Sequence, residues 1–147
     1  MARVFSLQIL LEHAQHRLEA AERLLRSMGR KEAAARQRLE EIQGYKLEYQ
    51  RRLTGAGEQG LQIHLLREYH AFLGKVEQAI NHQTSEVEKA HANWQSAHEK
   101  WLAQRQQVKA YEVLARRHAH TELVREEKRD QRGTDEAASR KTRVLGD

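Results

Sequence analysis

Several groups of residues have the types and spacing that chemistry requires, and each makes a demand on the backbone around it. Gly55-Ala56-Gly57-Glu58-Gln59-Gly60 matches G-x-G-x-x-G, the loop that lets backbone N–H groups approach a dinucleotide pyrophosphate. That chemistry needs a β-strand before the loop and a helix N-terminus after it. Glu88-x-x-His91 has the spacing with which helix bundles hold a metal, provided a second such motif and further carboxylates converge on it. Among nine histidines, His13 and His16 share a helical face, whereas His118 and His120 do not. Trp94 and Trp101, the only tryptophans, stand seven residues apart, a spacing that suits either a ligand stack or a core. Cysteine is absent, which removes thiolate chemistry and disulfides and fits a reducing compartment. No nucleophile elbow or phosphate loop is present.

Which of these readings survives depends on the elements that carry them. Proline is also absent, where average usage predicts roughly seven, so nothing obliges a helix to break. Glu, Gln, Arg, Lys, Leu and Ala dominate, residues that lose little in a helix. Aromatic residues make up 5% of the chain, too few for a thick globular core. Apolar residues recur at alternating steps of three and four through Leu7, Leu11, Ala14, Leu18, Ala21, Leu25, Met28, Ala35, Leu39, Ile42, Tyr49 and Leu53, interrupted by Glu32 and Lys46. A second series runs through Leu66, Tyr69, Leu73, Val76, Ile80, Val87, Ala90, Trp94, Ala97, Trp101, Val108, Tyr111 and Ala115, interrupted by Gln83 and Gln104. Both are coiled-coil seams. The glycine-rich stretch between them reads as a turn, so the expected fold is all-α: two long helices in an antiparallel coiled-coil hairpin spanning residues 1–133, with a first helix over about 6–54, a turn at 55–60 and a second helix over about 60–132.

A turn centred there makes facing residue numbers sum to about 115. Trp94 is then expected over Ala21, Trp101 over Ala14, Leu25 against Ala90, Leu18 against Ala97, and polar Glu32 against polar Gln83. Large facing small is what dense packing asks for, and the next register, near 122, sets Trp94 on Met28 and Glu32 on Ala90, which packs worse. The tryptophans accordingly read as core knobs. The second helix, at ~110 Å against ~73 Å for the first, is expected to overhang it, and after Ala115 the seam dissolves. Residues 134–147 read as a disordered or weakly helical, flexible C-terminal tail.

On such a scaffold the sharp motifs lose their context. A heptad helix, not a strand, precedes the glycine stretch, and His91 flanks the seam instead of occupying it, so it reads as part of a solvated face. No catalytic residue, metal ligand or cofactor is assigned, and an enzyme is not expected. No apolar run approaches the roughly 18 residues of a membrane span, and no small-residue cleavage site follows the apolar opening, which points to a cytosolic protein. The net charge of +5 is concentrated towards the two termini: residues 32–115 carry eleven basic and eleven acidic groups, residues 1–31 six and three, and residues 116–132 six and four. A nucleic-acid-binding arm is the alternative for a basic coiled coil, but its charge would form a stripe along the whole length, so no nucleic acid is expected as a partner. Tyr45 and Phe72 fall at g positions, expected side by side near the turn, with Leu65 and Ala79 on the same edge. This strip is apolar and unclaimed by the core, as a contact surface is.

These features resemble the FliJ family of flagellar type III export proteins. The likeness covers most of the chain: the helical hairpin, Tyr45-x-x-x-Tyr49 before the turn, Tyr69-x-x-Phe72-x-x-x-Val76-x-x-Ala79 after it, then Trp101 with a basic, glutamine-rich stretch and a charged C-terminal helix. Where the family tends to place a histidine four residues after that alanine, this chain has Gln83, with His82 one place earlier. The resemblance implies a component similar to the central stalk of rotary ATPases, cytoplasmic and peripheral to the inner-membrane export apparatus through its partners. It implies three of these: the hexameric flagellar export ATPase, the cytoplasmic domain of the export-gate membrane protein, and flagellar export chaperones. By position, the gate contact would use Tyr45, Tyr49, Phe72, Val76 and Ala79. The ATPase contact would use the basic open end, Arg3 with Arg116, Arg117, Arg125, Lys128 and Arg129, and the chaperone contact the first helix around His13, Arg17 and Leu24.

Overall fold

The structure, a computed structural model, describes the backbone of residues 2–58, 60 and 62–146, and side chains from residue 6 onward within those bounds. Two long helices, α1 (Ala2–Glu58) and α2 (Ile63–Leu145), pack against each other as a helical hairpin, with no strand among the described residues. Every seam position counted on α1 from Leu7 to Leu53 is buried or half-buried, while the residues between them are mostly exposed. Helix formation therefore follows from apolar faces that only mutual packing can cover, more than from propensity.

The connection differs from the expected turn at 55–60. Gly55 and Gly57 remain inside α1, because a helix tolerates an interior glycine at about 1 kcal/mol relative to alanine and this one has many turns to absorb it. The chain leaves α1 at Gly60, whose φ of 83° is the left-handed conformation that glycine adopts without a Cβ penalty. The Gly60 N–H donates to the Gly57 carbonyl at 3.3 Å, satisfying one of the helix's last acceptors. At the far end α2 does not stop at Arg132: it continues through Gly133 to Leu145, where Arg143 in the last turn complements the helix dipole. Residues 134–145, expected as a disordered or weakly helical tail, are thus helical and exposed.

Contacts divide the chain into two compact units, Glu19–Leu102, and Met1–Leu18 with Ala103–Asp147. In the first, cross-helix contacts fix the register. Gln83 Nε2 donates to the Ala35 carbonyl at 2.9 Å, His91 Nδ1 to Glu32 Oε1 at 2.8 Å, Lys46 Nζ lies 3.5 Å from Glu77 Oε1, and Phe72 stacks on Tyr49. The paired numbers sum to between 118 and 123, so the register is the one near 122 and not the expected one near 115. The extension of α1 to Glu58 explains this: moving the turn's centre by about three residues moves the sum by about twice that, which is one heptad. Both objections to that register are met by detail. The Trp94 ring lies over Gly29, where an added Cβ would sit 3.6 Å from Cδ1, so large still faces small with Gly29 in the place expected of Ala21. Glu32 does not face Gln83; it turns out from the seam to His91, and Gln83 satisfies its amide on backbone.

His91, expected on a solvated face, is half-buried and starts a ladder along α2. His91 and Trp94 stack at 5.9 Å between ring centroids, Trp94 and His98 at 5.1 Å, and His98 and Trp101 lie 5.7 Å apart. In the second unit Ala14 and Val108 are buried, and the seam runs past Ala115 to half-buried His118 and Glu122. Every residue from 125 to 146 is exposed.

Candidate partner-binding surfaces

Near the turn, Tyr49 occupies a seam position of α1, and its ring is too large to be swallowed by two helices. Phe72 of α2 stacks on one face of it, with centroids 4.2 Å apart and planes 23° apart, while Tyr69 meets it edge-on at 5.7 Å and 63°. The three rings, with Leu65 and Glu68, line a cleft of about 340 Å³. Phe72 keeps 41% of its surface exposed and Leu65 39%, so a partner side chain entering the cleft would cover apolar rings already held in fixed orientation.

Of the five residues that the resemblance assigns to the export gate, the structure joins Tyr49 and Phe72 directly. Tyr45 is 64% exposed and makes no ring contact among the described residues, so it does not lie side by side with Phe72 as expected. The register explains the separation: near 122, the residue facing Phe72 is close to Tyr49, one turn beyond Tyr45. Val76 is a half-buried seam residue, and Ala79 is exposed. Two cleft residues escaped the sequence reading of this surface. Tyr69 falls at a seam position of the heptad series, and Glu68 belongs to no apolar pattern that periodicity detects.

The basic set lies elsewhere. Arg116, Arg117, Arg125, Lys128 and Arg129 are exposed on α2 within the unit formed by Met1–Leu18 and Ala103–Asp147, and the side chain of Arg3 lies outside the described residues. Arg125 is partly engaged by Glu122 at 3.4 Å, a surface ion pair of small energetic value. That unit carries thirteen basic and nine acidic groups against thirteen and twelve for the other, so most of the net charge resides there. His13 and Arg17 are exposed one turn apart on α1, and Leu24 is 41% exposed.

One carboxylate has a shifted equilibrium. Arg36, through paired hydrogen bonds at 2.8 and 3.2 Å, and then His91 hold the Glu32 carboxyl below its ordinary range. This is a structural clasp between the helices, and it leaves the Glu88-x-x-His91 spacing without a free His91 Nδ1. Among the described residues no helix is long and apolar enough to cross a membrane.

A family model described as Flagellar FliJ protein matches residues 3–144. The chain is similar to the flagellar FliJ protein of Escherichia coli K12, with 27% identity over 140 residues that cover 95% of each chain. No solved structure matches it significantly.

Proposed function

We propose, because the chain belongs to the FliJ family of flagellar type III protein-export components, that it is a non-enzymatic stalk which docks by its basic end into the hexameric export ATPase. In this reading the aromatic cleft by the turn meets the cytoplasmic domain of the export gate, chaperones visit the exposed face of α1 around His13, Arg17 and Leu24, and the protein works in the cytoplasm, held at the membrane by its partners. The observation that carries the docking reading is the uneven charge: exposed Arg116, Arg117, Arg125, Lys128 and Arg129 sit in the unit that holds most of the positive excess. Charge gathered at one end orients that end towards an acidic opening and speeds encounter in a salt-dependent way.

A nucleic-acid-binding arm would show the same salt dependence, so a competition separates the two. Expected is stimulation of the purified flagellar ATPase at 0.15 M salt, unaffected by excess duplex or single-stranded nucleic acid and lost on replacing Arg116, Arg117, Arg125, Lys128 and Arg129 together by serine. Tight nucleic-acid binding with no stimulation would overturn the reading in favour of the arm.

A further inference from the structure

The unit of Met1–Leu18 with Ala103–Asp147 contains an apolar groove of about 410 Å³ that its own helices leave open. Leu7 and Leu11 of α1 form one wall, and Ala115 and Ala119 of α2 the other. The hollow has a simple cause: two alanines stand where a leucine would close the gap. His118 and Glu122 line the same groove, and His118 Nε2 is buried with no hydrogen-bond partner among the described residues. A buried ring nitrogen in that condition is costly, and the cost is relieved by any group that brings a complementary atom.

Beyond the groove α2 keeps the three-four spacing but fills it with Arg125, Arg129 and Arg132, which therefore continue the face that carries His118 and Glu122. All three are exposed, and of the three Arg125 alone meets a carboxylate among the described residues, Glu122 at 3.4 Å. An apolar hollow followed by a row of arginines is a two-part surface.

We infer that this face takes an acidic amphipathic helix from a partner protein, its apolar side chains seated in the groove, its carboxylates spaced to meet the arginine row, and one polar side chain serving His118 Nε2. Charge complementarity selects this occupant. A second copy of the chain would bring the same arginines against the row, and a nucleic acid would satisfy the arginines but leave the groove empty and set phosphate against Glu122. The inference deepens the docking assigned to this end and rests on that reading for the partner's origin, while the chemistry of the occupant rests on the groove itself.

The probe is a designed peptide of about 20 residues, six helical turns, with leucine at its a and d positions and glutamate on the flanks, beside a twin with lysine for every glutamate. Binding to the full chain is measured by calorimetry at 0.15 M salt, with the His118 ring nitrogen followed by NMR and self-association by sedimentation. The acidic peptide is expected to bind, to shift the His118 Nε2 resonance, and to weaken at least about tenfold for Ala119→Trp, which plugs the groove from an exposed position, and for the double variant Arg125→Ser/Arg129→Ser. Circular dichroism checks that both variants remain helical. Equal binding of the lysine twin, acidic-peptide binding indifferent to both variants, an unmoved His118 signal, or self-association alone would each overturn the inference. ATPase stimulation that persists while the peptide fails to bind would sink this inference and leave the docking reading standing.

Discussion

Glu32 and His91 face each other across the two helices with 2.8 Å between Oε1 and Nδ1, at a point where heptad counting sets an acid in the seam. The carboxylate also accepts two hydrogen bonds from Arg36, so a nominal core defect becomes a cross-helix clasp. Its pKa is lowered, by Arg36 first and His91 second. A carboxyl that binds its proton less readily when folded contributes stability above its unfolded pKa, and that contribution is lost as pH falls through the lowered folded value. Glu32→Gln should therefore melt below the parent at pH 7, and the gap between them should close on acidification below the ordinary carboxylate range. NMR titration should place the Glu32 carboxyl below the ordinary glutamate range. A gap that widens with acidification would show that the clasp does not hold Glu32 ionised.

The register is open to a direct chemical test because the chain has no cysteine to interfere. Ala35 and Val87 face each other when paired numbers sum to 122, whereas Ala35 would face Ile80 in the register near 115. Ala35→Cys with Val87→Cys should oxidise spontaneously to an intramolecular disulfide, and Ala35→Cys with Ile80→Cys should not, since one heptad displaces the partner by about 10 Å. The reverse pattern on a reducing and non-reducing gel would restore the shorter turn.

Gly29 offers a test of packing. An added Cβ would lie 3.6 and 3.7 Å from Trp94 Cδ1 and Nε1, which is ordinary contact. Gly29→Ala should therefore gain helix propensity without a clash and stabilise the chain by about 0.5–1 kcal/mol. Gly29→Leu should overpack the ring and cost about 1–3 kcal/mol. Trp94 fluorescence and thermal melting would report both. A destabilising alanine would mean that the ring needs the bare backbone.

The seams were legible because each rests on a period that many residues repeat, and an error at Glu32 or Lys46 does not disturb a count carried by Leu7 through Leu53. Register was not, because it depends on where a few turn residues bend. Gly55, Gly57 and Gly60 look alike as letters, yet Gly60 alone takes positive φ among the described residues. Side-chain length hid the rest. His91 flanks the seam by position but reaches Glu32, and Trp94 leans from Met28 onto Gly29, choices that a helical wheel cannot express. The aromatic strip was half legible for the same reason: its edge followed from g positions, whereas the partner of Phe72 followed from register and came out as Tyr49.

Tyr45 and Phe72 differ in what they touch, so the gate contact can be tested on each ring separately. Tyr45 is 64% exposed, so Tyr45→Ala should leave helicity and melting nearly unchanged, within about 0.5 kcal/mol. Phe72 stacks on Tyr49 and is 41% exposed, so Phe72→Ala should cost about 0.5–1.5 kcal/mol for the lost ring pair while the helices persist. Leu73→Ala and Ile42→Ala, both half-buried seam positions, should destabilise the fold most, by roughly 2 kcal/mol or more, and so show the largest drop in melting temperature. If the strip is the anchor for the gate's cytoplasmic domain, truncating either exposed ring removes a hot spot worth ~2 kcal/mol, about a thirtyfold loss of affinity. The seam variants should bind the gate almost normally at temperatures where they stay folded. Should the rings instead serve only to roof the end of the coiled coil, gate binding would fall in proportion to unfolding, and the seam variants would suffer more than Tyr45→Ala. Measuring melting and gate affinity on the same four variants separates these outcomes. Tyr45→Ala carries the decision: of the two rings it is the more exposed and has no ring pair to lose among the described residues, so unchanged gate affinity in that folded variant removes Tyr45 from the contact.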